Sequence, residues 1–207
     1  GKGSNQAVAA KLAGADVNLI TAVGNDDFAR VALSFYQKIG LSAKYVHLVK
    51  GVHTGVAAIG VETGNGQNQI MVAPGAGDKI TKQMIRRAAD AFSVGGVFLT
   101  QFECDLCATA FALSLAKKKY GALTILNPAP AREFDERNLS VVDIIVPNET
   151  EAALITGVPL SARDFHKKAA TKLLKKVPTV IITLGDKGVY CPTVSKEILP
   201  PFKVKAI

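Results

Sequence analysis

The stretch that decides the fold runs from Asp143 to Glu151: Asp143-Ile144-Ile145-Val146-Pro147-Asn148-Glu149-Thr150-Glu151. Its apolar, β-branched run is typical of a buried strand, and the proline ends that run. The residues after the proline predict a helix from Glu149 to Thr156 that stops at Gly157. Open α/β sheets bind their ligands where a strand ends and a helix begins, so this junction is a candidate site.

Asn148 and Glu151 at this junction allow two interpretations. They lie three residues apart, so both side chains can face one point in the first helical turn. A carboxylate and an amide there could hold a hydrated Mg²⁺, which keeps most of its waters and takes few protein ligands. Asn148 is also a good N-cap, with Glu151 at the N3 position of a capping box. From these residues alone, the cap is the favoured interpretation.

Strand and helix patterns alternate along most of the chain. Strands are predicted at 17–23, 46–49, 97–100, 123–126, 143–146 and 179–183, with short β segments at 189–191 and 204–207. Helices are predicted at 7–13, 27–39, 81–92, 106–119, 149–156 and 162–176, the first preceded by a glycine loop and the last opened by Ser161. This order predicts a single α/β domain over residues 1–207, with a mainly parallel sheet covered on both faces.

Residues 54–72 interrupt the alternation. Two β-rich runs flank a glycine-containing loop, and this pattern predicts an antiparallel hairpin. Within an α/β fold such a hairpin projects from the main sheet and could cover a site as a lid. An edge hairpin without such a role is the alternative.

Polar residues follow the ends of several predicted strands, namely Glu103, Asn127, Asn148 and Thr183. The carboxyl ends of parallel strands share one edge of a sheet, so we expect these side chains to converge. The loop around Gly185 follows the last of these strands, and its backbone N–H groups could hold phosphate. A plain glycine turn is an equal alternative for that loop.

Composition limits the classes of function. The chain has 207 residues, 48% of them hydrophobic, which is enough for one domain with a large core. The net charge of +8 suits nucleic acid or a polyphosphate ligand. The lysines that gather at 117–119 and between 167 and 176 lie in amphipathic helical patterns without interleaved aromatic residues, which favours solvated helix faces over nucleic-acid binding. Three cysteines, no apolar run of membrane length and no signal-peptide pattern predict a cytoplasmic protein without a membrane or nucleic-acid partner.

Several motifs together resemble the ribokinase-like family of carbohydrate kinases, and the resemblance covers the full length. The opening residues look like the family's G-G-K-G-A-N-Q sugar-binding signature with its first glycine missing. The other matching segments are Val23-Gly24-Asn25-Asp26, Thr54-Gly55-Val56-Ala57, Gly75-Ala76-Gly77, Asn127-Pro128-Ala129-Pro130-Ala131, Asn148-Glu149-Thr150-Glu151-Ala152 and Thr183-Leu184-Gly185. The resemblance implies a three-layer α/β/α fold with a β lid.

The resemblance also implies a function and its residues. The activity would be ATP-dependent phosphorylation of D-ribose to ribose 5-phosphate, with another sugar or nucleoside kinase, or a non-catalytic sugar-binding fragment, as alternatives. Sugar contacts would come from Gly1, Lys2, Asn5 and Glu103, and nucleotide contacts from Asn148, Thr183 and Gly185. Glu151 would belong to the Mg²⁺ region, which turns the plain cap into a functional one. Family members suggest a monovalent cation such as K⁺ and a homodimer formed through the lid.

The sequence departs from the family's pattern at both ends. In the family, a segment like residues 204–207 runs into D-T-x-x-G-A-G-D, which carries the anion hole and the catalytic base. The chain ends at Ile207, so no catalytic residue is assigned and we expect phosphoryl transfer too slow to detect. A first sheet strand and two lid strands are expected before Gly1. A piece of a longer kinase and a short sugar-binding protein both fit these departures.

Overall fold

The computed structural model describes residues 1–64 and 68–203. Backbone contacts divide the chain into two compact units. The first comprises Gly1–Phe92 and Glu103–Ala108, and the second comprises Ser93–Phe102 and Thr109–Ile207. The single domain expected over residues 1–207 stays a prediction.

The first unit combines helices with a short parallel sheet and a hairpin. Its elements are α1 (Lys2–Leu12), β1 (Thr21–Val23), α2 (Asp27–Lys38), β2 (Val46–Leu48), β3 (Val56–Val61), β4 (Asn68–Ala73) and α3 (Lys82–Arg87). Strands β1 and β2 pair in parallel, with Ala22 opposite His47. A buried cluster packs α1 and α2 against the chain around this sheet, and it contains Ala7, Leu19, Tyr36 and Leu41.

Strands β3 and β4 form the predicted hairpin. They pair antiparallel from Val56 opposite Ala73 to Val61 opposite Asn68, which confirms the hairpin. Most of its large apolar side chains are more than half exposed, as Ile59, Ile70 and Met71 illustrate. The predicted loop between the strands lies partly outside the described residues. The exposure agrees with a hairpin that projects away from a core.

The second unit is built around a four-stranded sheet. Its elements are β5 (Val97–Thr100), α4 (Leu106–Tyr120, its first turn in the first unit), β6 (Leu123–Leu126), β7 (Ile144–Ile145), α5 (Glu149–Thr156), α6 (Phe165–Leu173), β8 (Thr179–Val180), β9 (Ile182–Thr183) and β10 (Val189–Tyr190). Strands β5, β6, β7 and β8 lie side by side in that order, and every pair is parallel. Strands β9 and β10 pair antiparallel. The α/β class with mainly parallel strands is confirmed.

Some predicted boundaries differ from the structure. The helix expected from Ala162 begins at Phe165, because Asp164 before it adopts a left-handed conformation with φ of 56° that an α-helix cannot include. The strand expected at 179–183 is two short strands, β8 and β9. The β segment predicted at 204–207 lies outside the described residues. Among the described residues, no helix combines the length and the apolar character needed to cross a bilayer.

Candidate active site

The start of α1 meets Glu103 in the first unit. The Lys2 backbone N–H donates to Glu103 Oε2, and Lys2 Nζ donates to Oε1 at 3.0 Å. Both side chains keep partial solvent access, 44% for Lys2 and 26% for Glu103. The structure therefore brings together two residues that lie 101 positions apart in the sequence.

The glycine loop expected before α1 is helical instead. Lys2 is the first residue of α1, and Gly1 occupies the N-cap without a side chain to accept from the free backbone N–H groups. Glu103 supplies that acceptor, and its negative charge also suits the positive end of the helix. A side chain at position 1 would bring its Cβ to within 2.6 Å of Glu103 Oε2. Glycine at position 1 thus allows the carboxylate to approach the helix closely.

Asn5 lies one helical turn after Gly1. Its backbone N–H donates to the Gly1 carbonyl at 3.0 Å, and the residue is exposed. Gly1, Lys2 and Glu103 are therefore in direct proximity, and Asn5 is one turn along the same helix. The sugar contacts of these four residues stay a prediction.

The start of α5 forms the capping box predicted for Asn148 and Glu151. Asn148 Oδ1 accepts from the Glu151 backbone N–H at 2.8 Å, and Glu151 Oε2 accepts from the Asn148 backbone N–H at 2.9 Å. The Asn148 amide also donates to Glu151 Oε1 at 3.0 Å. Glu151 is only 5% exposed, so these hydrogen bonds hold a nearly buried carboxylate in one orientation.

The capping box limits how Mg²⁺ could bind here. Each Glu151 oxygen accepts one hydrogen bond, and a carboxylate oxygen has a further lone pair. The described residues contain no cluster of three or more His, Cys, Asp or Glu side chains that could enclose a metal ion. This donor set fits a Mg²⁺ ion that keeps most of its waters and takes few protein ligands. The metal role of Glu151 stays a prediction, whereas the cap is confirmed.

Three of the polar strand-end residues lie on neighbouring chain segments of the second unit. The Asn127 side chain donates to the Val146 carbonyl at 2.9 Å. Asn148 forms a parallel bridge with Thr183, whose backbone N–H donates to the Pro147 carbonyl at 2.9 Å. Asn127, Asn148 and Thr183 therefore share the carboxyl edge of the sheet. Glu103 belongs to the first unit, and its convergence with them stays a prediction.

The loop after β9 is a tight turn. Gly185 has φ of 59°, and a Cβ there would meet no atom within 4 Å. The Leu184, Lys187 and Gly188 N–H groups donate within the turn. The Gly185 and Asp186 N–H groups have no acceptor among the described residues. Those two amides are the donors that a phosphate could use, and their nucleotide contact stays a prediction.

Sequence reasoning found no role for Asp26, although it lies in one of the matched motifs. Asp26 Oδ2 accepts from the Thr54 backbone N–H at 2.7 Å, and Oδ1 accepts from the Thr54 hydroxyl at 2.7 Å. These hydrogen bonds hold the pKa of Asp26 below its usual value. The V-G-x-D and T-G-V-A segments both appear in the sequence, but nothing in it indicates that they meet.

Asp143 accepts hydrogen bonds from Lys117 and Thr124, and the sequence did not indicate this second network. Lys117 Nζ donates to both carboxylate oxygens at 2.6 and 2.8 Å, and Thr124 donates through its N–H and hydroxyl. Burial alone would raise the pKa of Asp143, but these donors outweigh it and lower the pKa. Asp143 precedes β7 at the amino end of the strand, opposite the edge that carries Asn148. It is therefore placed to stabilise the unit.

Comparisons with known proteins match carbohydrate kinases over the whole chain, in agreement with the family that the sequence motifs resemble. The model of the "pfkB family carbohydrate kinase" matches residues 1–207. A ribokinase of Haemophilus influenzae and a deoxyribokinase of Salmonella typhi are each 36% identical, and the chain aligns over 100% of its length with 68% of either relative.

Solved structures of ribokinases share the fold. A ribokinase of Thermotoga maritima superposes with a TM-score of 0.81 at 34% identity, covering 100% of this chain and 67% of the other. Ribokinase of Arabidopsis thaliana, solved with ribose and ATP, gives a TM-score of 0.75 at 25% identity, covering 92% of this chain and 62% of the other. The ribokinase-like fold is thereby confirmed. The chain belongs to the pfkB family of carbohydrate kinases.

Proposed function

We propose that this protein transfers the γ-phosphoryl group of ATP to D-ribose and forms ribose 5-phosphate. The observation that carries the proposal is the Lys2–Glu103 pair at the start of α1, in a chain whose ribokinase relatives match it over its full length. A cytoplasmic location and a monovalent cation such as K⁺ in the complete protein belong to the same proposal.

The first unit supplies the sugar-binding groups in this proposal. Glu103 accepts two hydrogen bonds from Lys2 and keeps further lone pairs, which can accept from sugar hydroxyls. Lys2 Nζ has three N–H donors, so it can serve Glu103 and a sugar oxygen together. Partial exposure of both side chains leaves them accessible to a small polyol. Asn5, one turn along α1, adds an amide that both donates and accepts.

The second unit supplies the nucleotide-binding groups. Thr183 ends β9, and Gly185 lies in the turn that follows it; we place both at the ATP site, with the Asn148–Glu151 box facing the phosphates. Mg²⁺, when bound with ATP, neutralises charge on the phosphates. Glu151 would orient the waters of that ion, since its carboxylate is fixed by two N–H donors. We assign no catalytic base among residues 1–207.

A deoxyribose substrate is the second candidate, because the Salmonella typhi deoxyribokinase is as similar to the chain as the ribokinase. The two sugars differ by one hydroxyl, so discrimination depends on whether that hydroxyl has a polar partner in the site. A non-catalytic sugar-binding role is a third candidate.

One set of measurements separates these candidates. We would record ADP release with ribose, 2-deoxyribose, fructose and adenosine, and titrate each compound calorimetrically. Ribose-dependent ADP release above that with the other compounds, from a protein that also carries the segment expected after residue 207, supports the proposal, and preference for 2-deoxyribose favours the second candidate. Residues 1–207 alone are expected to bind ribose without detectable ADP release. Ribose binding without ADP release in that longer protein as well favours the sugar-binding role. No binding and no turnover with any sugar would overturn the proposal.

We also propose a homodimer formed through the hairpin. Apolar side chains on β3 and β4 are exposed, and a paired hairpin edge can add strands from a second copy. Sedimentation of the wild-type chain and of Met71→Lys tests this. A monomer in both cases would contradict it.

A further inference from the structure

Three motifs that are distant in the sequence meet at the root of the β3–β4 hairpin. They contribute Gly24 and Asp26, Thr54 and Gly55, and Gly75. We propose that Asp26 and Thr54 form a clamp that fixes the hairpin at its root, which makes Asp26 a positioning residue for the hairpin as a sugar lid. The lid role rests on the proposed function, whereas the clamp itself does not.

Hydrogen bonds tie Thr54 to two elements of the first unit. Asp26 caps α2 by accepting from the Ala29 N–H at 2.9 Å, and the same carboxylate accepts the Thr54 N–H and hydroxyl at 2.7 Å each. The Thr54 hydroxyl in turn accepts from the Gly24 N–H at 2.9 Å, just after β1. Thr54 is 8% exposed, so water competes little for these bonds. The chain entering β3 is therefore attached to both β1 and α2.

Three glycines allow the backbones to approach closely at the same place. A Cβ on Gly24 would lie 2.7 Å from the Thr54 nitrogen, and one on Gly55 would lie 2.5 Å from the Pro74 carbonyl oxygen. A Cβ on Gly75 would lie 2.8 Å from the Gly55 nitrogen, and Gly75 has φ of 56°. Real side chains do not tolerate such distances from backbone atoms. Each glycine is thus required by the packing of the root.

The second strand is attached through the same root. The Ala76 N–H donates to the His53 carbonyl at 2.8 Å, directly before the clamp residue Thr54. Beyond the root, Ile59, Ile70 and Met71 are more than half exposed. Packing along the strands therefore does little to fix the direction in which the hairpin points. The contacts at the root are left to set that direction.

The Ala76 amide is a suitable reporter for the clamp. It crosses the root, but neither Asp26 nor the Thr54 side chain contacts it. Hydrogen exchange of this amide, followed by NMR, reports opening of the root independently of sugar binding and turnover.

Four variants of the chain distinguish the clamp from a general loss of stability. Thr54→Val removes the hydroxyl and leaves the α2 cap intact, whereas Thr54→Ser keeps the hydroxyl. Asp26→Asn places an amide where the Thr54 N–H needs an acceptor. Asp27→Asn is the matched control, since Asp27 pairs only with Arg30 among the described residues, on the exposed side of α2. We expect the Ala76 amide to exchange about tenfold faster in Thr54→Val and Asp26→Asn, and unchanged in Thr54→Ser and Asp27→Asn.

Unchanged Ala76 exchange in both Thr54→Val and Asp26→Asn would overturn the clamp. Ribose titration then tests the positioning role: we expect about tenfold weaker ribose binding in Thr54→Val, restored in Thr54→Ser. A loosened root with unaltered ribose affinity would show that the clamp does not position a sugar lid. If the wild-type chain binds no ribose, the proposed function and the lid role fail together, and Ala76 exchange still decides the clamp.

Discussion

The Asn148–Glu151 box and the Lys2–Glu103 pair are both built on a carboxylate at the start of a helix, yet they differ in almost every other respect. The box joins residues three positions apart and buries its carboxylate, while the pair joins residues 101 positions apart and leaves its carboxylate accessible. A local, buried carboxylate serves the helix first. A distant, accessible carboxylate has acceptor capacity left for a ligand.

The largest expected effect concerns ribose binding at the accessible carboxylate. Glu103→Ala should weaken ribose affinity on the order of 100-fold, because it removes a charged acceptor of sugar hydroxyls. Thermal stability should fall less than in Glu151→Ala, since the hydrogen bonds that Glu103 makes to the start of α1 are partly exposed. Calorimetric titration and thermal melts measure the two quantities, with the exposed Glu197→Ala as control. A large loss of stability with unchanged ribose affinity would mean that Glu103, like Glu151, serves the stability of its helix and not the ligand.

The buried carboxylate should show the opposite result. Glu151→Ala removes the acceptor of the Asn148 N–H from a site that is 5% exposed, and should lower the free energy of unfolding by about 1–3 kcal/mol. Urea unfolding measures this, and ribose affinity should stay unchanged. Glu149→Ala, in the first turn of the same helix, is the control. Equal effects of the two substitutions would argue against the capping box as the source of stability.

Asp143 sharpens the comparison, because its contact with Lys117 is distant in sequence and yet structural. The folded-state pKa of Asp143 is lowered, so its stabilising contribution is complete above the ordinary carboxyl pKa near 4. That contribution is lost as the pH falls through the lowered pKa. Unfolding free energies of the wild type should therefore decline more steeply below about pH 4 than those of Asp143→Asn. Parallel pH profiles would contradict this.

The smallest effect is expected for a local and exposed ion pair. Arg137 and Asp135 lie two positions apart on the surface and bond at 2.6 Å. Arg137→Ala should shift the melting temperature by less than about 2 °C, because solvent screens such pairs. A larger shift would mean that the pair supports the helical turn that begins after Asp135.

Local features were predictable because their determinants are neighbours in the chain. The α5 helix, its Asn148 cap, its end at Gly157 with φ of 65°, and the β3–β4 hairpin all follow from short patterns. The start of α6 was missed because the left-handed conformation of Asp164 is uncommon for a residue other than glycine. The glycine loop at residues 1–6 was wrong because the missing cap is supplied by Glu103, far along the chain.

The sequence by itself determined the α/β class, the family and the capping box of α5, since periodicity and capping depend on local chemistry. Only the tertiary structure decided that Glu103 accepts hydrogen bonds from Lys2 at the start of α1. The same holds for the pairing of Lys117 with Asp143 and for the hydrogen bonds between Asp26 and Thr54 at the hairpin root. These contacts join residues 26 to 101 positions apart. Their geometry depends on how strands and helices pack, which no short stretch of sequence encodes.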